Sequence, residues 1–455
     1  MFLFGDPLKN KKSPGEFNAP GFIKMKMKEY KKYILFTAII IALGFTGWKV
    51  FVKKPVLSKT GLYDSNINYV SNKGKSADNF IYALKEQLEK LGDNSALYVK
   101  LGSAYIQKAR ETFDPNYYSA AEDALEKAIK MDKNNSTAVS LLASVYLSRH
   151  DFKGALELGN KSLILDPAND YTYGILVDAQ NELGMYDESV VSAQKMVDLK
   201  PNLSSYSRVS YIREIHGDIS GAIDAMKLAV NAGSPKAENL AWVKVQLANL
   251  YYNKGDIDNA EHFYESSTDE VIDYVHGLGG LAKIALYKKD YIRAIKLYTE
   301  ALSQSQMPEY LIALGDVFTI TGQTDKANEQ YDKVIFALTM LKNKGIETDI
   351  ELAIFNADHN RNIENSLDKV EQSLSDGSKS FKAYHAAAWL YFKKGDYKKA
   401  EENINSALKL GTKDPLMIFH AGKIFEKNGE NDKANEFISK ALMINPHYQI
   451  LYAGS

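Results

Sequence analysis

Residues Ser136 to Asn202 contain one unit written twice. The first copy reads STAVSLLASVYLSRHDFKGALELGNKSLILDPAN and the second, almost immediately after it, YTYGILVDAQNELGMYDESVVSAQKMVDLKPN. Pro167 and Pro201 stand 34 residues apart, as do Leu142 and Leu176. A period of that size marks a solenoid of helix-turn-helix units, each unable to bury its apolar face alone. Such a chain is expected to work by presenting a surface.

With 45% apolar and 25% charged residues over 455 positions, the chain has material for a large folded body. Only 11 prolines occur, several at repeat ends, which suits a mostly helical chain. Cysteine is absent, which excludes disulfides, thiolate zinc sites, cysteine nucleophiles and a lipidated cysteine.

The formal net charge of -1 is unevenly divided. Residues 1 to 54 hold eleven lysines against Asp6, Glu16 and Glu29, or +8, leaving 45 basic and 54 acidic residues, or -9, for the remainder. A basic head suits contact with anionic lipid, and an acidic body argues against nucleic-acid binding by the bulk of the protein.

Residues 1–32 lack a regular apolar period and read as a flexible basic tail. Residues Tyr33 to Val52, YILFTAIIIALGFTGWKVFV, are interrupted only by Lys49. Twenty helical residues match the hydrocarbon thickness of a bilayer, Lys49 is near enough the end to snorkel, and Tyr30, Tyr33 and Trp48 stand at interfacial positions. The segment is therefore expected to be a transmembrane helix. Lys24, Lys26, Lys28, Lys31 and Lys32 outnumber Lys49, Lys53, Lys54 and Lys59, which places the N-terminus in the cytoplasm and the body in the periplasm or its equivalent. A start at Met25 or Met27 would instead make the stretch a cleaved signal, with Ala42 and Gly44 as the small pair, and would leave a secreted or periplasmic body. Residues 53–77 read as a polar linker, and 78–92, with Ile81, Leu84, Leu88 and Leu91 at helical spacing, as a capping helix. Residues 93–450 form the array and 451–455 a short tail.

Within each unit a first helix with large apolar residues around a small one is followed by a Gly-Asp type turn and a second helix with two alanine-like positions. In residues 386–411, AAAWLYFKKGDYKKAEENINSALKLG, Ala388 and Ala400 mark the close approach of the two helices. This pattern resembles the tetratricopeptide repeat (TPR), whose consensus has Gly or Ala at position 8 and Ala at position 20. Position 8 falls at Gly102, Ala143, Val177, Ser210, Ala248, Ala282, Gly315, Ile354, Ala388 and Gly422, giving ten units with spacings of 41, 34, 33, 38, 34, 33, 39, 34 and 34. Position 20 falls at Ala121, Ala155, Ser189, Ala222, Ala260, Ala294, Ala327, Ser366, Ala400 and Ala434. The resemblance implies an all-α fold, a right-handed superhelix of about ten units.

Departures from the pattern carry their own expectations. An insertion around ARETFDPNYY lengthens the first unit into a bulged or extended pair. Val177, Ile354 and Lys244 occupy positions where smaller or apolar residues are usual, so their units are expected to be looser. Residues 334–377 match worst, with a first helix lengthened through IFALTMLKNKGIETD and the turn ADHNRNIEN. The C-terminal end also resembles that of bacterial envelope-associated TPR proteins.

No catalytic, metal or cofactor site is legible. The eight histidines include no pair with zinc-ligand spacing, and no G-x-S-x-G or Walker motif occurs. Asp358 and His359 read as a hydrogen-bonded turn, and HGLGG at His276 to Gly280 as close helix packing rather than a phosphate loop. The family works through the concave face lined by its first helices. By that resemblance the binding residues here are Tyr211, Trp242, Asn249, Tyr252, Asn253, His276, Lys283, Tyr287, Asp316, His385, Trp389 and Lys393, aromatics and amides suited to an extended peptide or helix. Capture of an acidic C-terminus in the manner of chaperone-binding TPR domains is not supported, because position 5 carries no lysine. The expected role is a membrane-tethered scaffold for a protein or peptide partner in the cell envelope. The alternatives are an enzyme or accessory with a site in 334–377, or a cytoplasmic-facing adaptor.

Overall fold

A computed structural model describes residues 75–452, all within one of the chain's two units, Asn68–Ser455. The tail, the apolar segment Tyr33–Val52 and nearly all of the linker lie outside the described residues. Among those described, no helix is long and apolar enough to cross a membrane, and there is no strand.

A leading helix, α1 (Lys75–Leu91), precedes ten antiparallel helical pairs. The first five pairs are α2 (Ser95–Thr112) with α3 (Asn116–Met131), α4 (Ser136–Ser148) with α5 (Phe152–Leu165), α6 (Asp170–Leu183) with α7 (Tyr186–Leu199), α8 (Leu203–Ile215) with α9 (Ile219–Asn231), and α10 (Glu238–Asn253) with α11 (Ile257–Glu270). The second five are α12 (Val275–Tyr287) with α13 (Tyr291–Gln304), α14 (Pro308–Ile320) with α15 (Thr324–Asn343), α16 (Asp349–Asp358) with α17 (Ile363–Ser375), α18 (Phe381–Lys394) with α19 (Tyr397–Ala407), and α20 (Pro415–Lys427) with α21 (Asn431–Ile444). A single turn, α22 (Tyr448–Leu451), ends the array.

Local chemistry sets these boundaries. Asn94, Asn135, Asn169 and Asn202 each accept a backbone N–H at the start of a first helix. Asp151, Asp218, Asp256, Asp290 and Asp396 do the same for second helices. The residue before each of these aspartates turns the chain through the left-handed region. It is glycine at 217, 255 and 395, but His150 and Lys289 at the other two.

All ten small residues at position 20 are buried. Partners are pressed closely against position 8: a Cβ on Gly102 would lie 2.5 Å from Leu125 Cγ, and one on Gly315 would lie 2.4 Å from Tyr331 Cε1. The HGLGG run behaves alike, Gly280 lying against Tyr264 and Gly279 against Tyr310, so it is a helix-packing element.

The insertion in the first unit takes the extended alternative: α2 runs for 18 residues and is ended by Phe113 at φ 55. Other expectations are corrected. The extra length near residue 340 belongs to the preceding unit: α15 runs for 20 residues until Gly345 at φ +78 ends it, while α16 has only 10. Nor are the units of Val177 and Lys244 loose. Val177 is fully buried beside Ala193 and Ile212, and Lys244 donates to Glu270 Oε1 at 2.6 Å and Ser266 Oγ at 2.8 Å, the Lys and Glu side chains being 12% and 13% exposed.

The array winds back onto itself. Each of three helix-pair turns touches the loop entering the unit six places further on. His150 Nδ1 meets Glu347 O at 2.7 Å, Tyr186 OH accepts from Phe381 N at 2.8 Å, and Lys382 Nζ donates to Glu182 at 2.6 Å, links spanning 197, 195 and 200 residues. At the next step a Cβ on Gly217 would lie 2.1 Å from Gly411 O. First helices are buried almost all round, as α12 and α18 show, whereas α13 and α19 bury one stripe. The first helices therefore form the inner wall and the second helices the outer.

Candidate functional site

The side chains expected to line the inner wall lie on first helices and fall into four groups. Near the middle, Tyr211 lies beside Lys382 and Glu182 at an inter-turn contact, and burial pushes its phenol up to about 12. Next to it, Lys283 Nζ sits 4.0 Å from the centroid of the Tyr252 ring, which meets Tyr287 edge-on at 6.1 Å. Burial pulls Lys283 down to about 8 against the attraction of Asp414 and Glu214. Glu214, half-buried and near Asn253, is pushed up to about 7 by burial and by Asp414.

The third group serves structure: His276 Nδ1 bonds Tyr310 OH at 2.8 Å, and Asn249 Oδ1 accepts from Tyr264 OH at 2.5 Å. Trp242, 40% exposed, is the large aromatic of the expected set that faces solvent.

The fourth group lies at the C-terminal end and draws on α14, α16, α18 and α20. The ring of Trp389 stacks on His420 at 3.8 Å with an interplanar angle of 7°. His420 Nδ1 meets His385 Nε2 at 3.0 Å, and its Nε2 faces Asp358 Oδ1 at 3.4 Å. Beside them His359 Nε2 lies 3.5 Å from Asp316, its ring against Tyr331 at 4.0 Å, and Lys393 Nζ stands 4.9 Å over Trp389. The His420 side chain is 0% exposed and that of Asp358 11%.

Burial pushes the Asp358 carboxyl up to about 7, with His359 opposing and Asp316 adding. It pulls His385 down to about 4 and His420 well below the usual imidazole range, where His385 and Lys393 depress it further. Both imidazoles are thus neutral near pH 7. A cavity of about 190 Å³ opens beside Asp316, Tyr331, His359 and Tyr452. Among the described residues no cluster of three or more His, Asp or Glu is arranged to hold a metal.

Of the twelve expected residues, Asp316, His385, Trp389 and Lys393 converge in this last group, while Tyr252, Lys283 and Tyr287 form the middle one. Tyr252, His385 and Trp389 are buried, so they present themselves to neighbouring units rather than to solvent. Sequence reasoning missed His420, Glu214 and Lys382, and it left Tyr448 and Tyr452 at the array's end. A histidine flanked by Phe419 and Ala421 in an apolar helix was the available signal for the first.

The sequence profiles of the tetratricopeptide repeat match residues 106–170, 243–269, 381–410 and 417–448. The chain carries tetratricopeptide repeats. Among curated TPR proteins, it is similar to tetratricopeptide repeat protein 21A of Mus musculus, 23% identical over 52% of this chain and 20% of that one. It is also similar to a TPR repeat-containing protein of Methanocaldococcus jannaschii, 21% identical over 78% of this chain and 50% of the other. The chain thus spans between a fifth and half the length of these relatives. Solved structures with a similar fold include the human IFIT1 dimer with PPP-AAAA, at a TM-score of 0.48 and 16% identity over 73% of this chain and 78% of that one. The APC/C hetero-tetramer Cut9-Hcn1 aligns at 0.44 and 16% over 82% and 60%.

Proposed function

We propose that this TPR array is a binding scaffold that holds a protein or peptide partner against its inner wall, tethered to a membrane through residues 33–52 with the array outside the cytoplasm in the cell envelope. TPR repeats imply protein–protein interaction. The observation that carries the assignment to the inner wall is the concentration there of exposed or half-buried aromatic, amide and charged side chains, Tyr211, Trp242, Asn253, Lys283, Tyr287 and Lys393, on first helices. Outer helices carry mostly solvated charge.

The same wall disfavours a nucleic-acid partner, since Glu214, Asp316, Asp358 and Asp414 gather along it and the chain beyond residue 54 carries -9. The enzyme alternative in 334–377 is disfavoured because His359 is bonded to Phe355 O at 2.8 Å and faces Asp316, and Asp358 is set against His420. The test is photo-crosslinking in membranes. A probe at the exposed Trp242 is expected to capture a protein, and one at the outer Ile292 is not; capture from Ile292 alone would overturn the inner-wall reading. A C-terminal reporter active only after export checks topology: activity is expected in the full chain, and its absence would favour the cytoplasmic-facing adaptor.

A further inference from the structure

After α21 the chain does not simply stop. Asn445 and Pro446 break the helix, and residues 447–452 turn inward across the wall. His447 Nε2 meets Leu286 O at 3.0 Å, and its ring meets Tyr291 edge-on at 6.1 Å, four units back in the array. Tyr448 packs on Phe419 at 5.4 Å. Tyr452, only 9% exposed, packs edge-on against His420 at 5.1 Å and Trp389 at 6.1 Å, its phenol directed to Asp358.

A four-residue helix has no stability of its own, because nucleation costs more than one turn returns. Its N-terminus has no side-chain cap, and Gln449 and Ile450 project into solvent. All of its order therefore comes from the slot it fills, and that slot is not fully satisfied. Beneath the tail, His420 Nε2, Asp358 Oδ1 and Trp389 Nε1 are buried without a hydrogen bond of proper geometry. Groups of this kind favour an occupant that brings better partners.

We propose that the slot between α14, α18 and α20 is a receptor for one helical turn carrying aromatic side chains four residues apart, that residues 446–452 occupy it in cis, and that they leave when a partner turn of the same chemistry enters. Tyr448 and Tyr452 have this spacing, which places both rings on one helix face. This deepens the inner-wall reading and rests on it. It names the partner chemistry as a short amphipathic turn with two rings, and makes residues 446–452 the competitor.

The test uses Trp389 as the reporter. Replacing Trp48 and Trp242 by Phe leaves it the only tryptophan of the three. Ending this chain after Asn445 is expected to shift Trp389 emission to longer wavelength. A synthetic peptide of residues 446–455 should reverse the shift saturably, bind the intact chain at least tenfold more weakly, and lose binding when both tyrosines are alanine. If the shortened chain does not fold, as judged by its helical circular dichroism, Tyr452→Ala in the full chain is expected to give the same shift and to accept the peptide. Unchanged emission without peptide binding, or equal binding to the intact chain, would overturn the proposal. The peptide assay needs no cellular partner, so its failure is distinct from a failure of membrane crosslinking.

Discussion

At the residue scale, the interior holds ionisable groups whose protonation is set by burial, and they impose opposite pH trends. His385 and His420 titrate below the unfolded histidine range, so the unfolded chain binds more protons and their contribution to stability is lost as pH falls from about 6.5 towards 4. Asp358 titrates near 7, above its unfolded value of 3.8, so its contribution is lost as pH rises through that interval. Asp358→Asn is therefore expected to gain stability relative to the natural chain by roughly 2–4 kcal/mol between pH 4 and 8. Denaturant titrations at the two pH values check this, and a pH-independent difference would contradict it. The Lys244–Glu270 pair makes a separate prediction. Glu270→Ala should cost roughly 1–3 kcal/mol by leaving a half-buried ammonium without its carboxylate, whereas Lys244→Met with Glu270→Leu should be close to neutral. A melting comparison of the two variants distinguishes them. From sequence Lys244 looked like a misfit, because its partner lies on the second helix of the same unit, 26 residues away, and no local pattern announces the pairing.

At the scale of the element, the repeat was legible because each helix pair is built from short-range rules. Position 8 against position 20, an asparagine or aspartate cap, and a left-handed residue before the second helix all fall within one period. Ten pairs followed from these, and their phase is the observed one. What misled was length: the run IFALTMLKN continues the amphipathic face of α15, and only Gly345 marks where it stops. The groove side chains could be assigned to first helices, but not their burial, which comes from neighbouring units for Tyr252 and Trp389 and from Lys382 on a later turn for Tyr211. Lys289 stands in the left-handed region at φ 62 where sister turns carry glycine, and its side chain is exposed. Lys289→Gly is expected to stabilise the chain by roughly 0.5–1 kcal/mol, read from the midpoint of thermal or denaturant unfolding. Gly345→Ala should destabilise it by a comparable amount for the converse reason.

On the scale of the whole array, the contacts from three helix-pair turns to the units six places on, and from Leu286 to His447, distinguish this solenoid from an open spring. In an open array each unit touches only its neighbours and stability is nearly a sum of local terms. Here Glu182, Tyr186, Gly217 and Leu286 are tied to residues 160 to 200 positions later, as the 161-residue link to His447 and the 200-residue link to Lys382 show. Successive turns of the array are thereby held against one another, and residues 447–452 pack on the same first helices. Because the chain has no cysteine, the contact between turns can be measured directly. With cysteines at Glu182 and Lys382, whose side chains meet at 2.6 Å, a short bis-maleimide should give a cross-linked monomer as readily as with cysteines at Glu261 and Lys288. Efficient linkage of the local pair without linkage of the distant one would contradict the contact between turns.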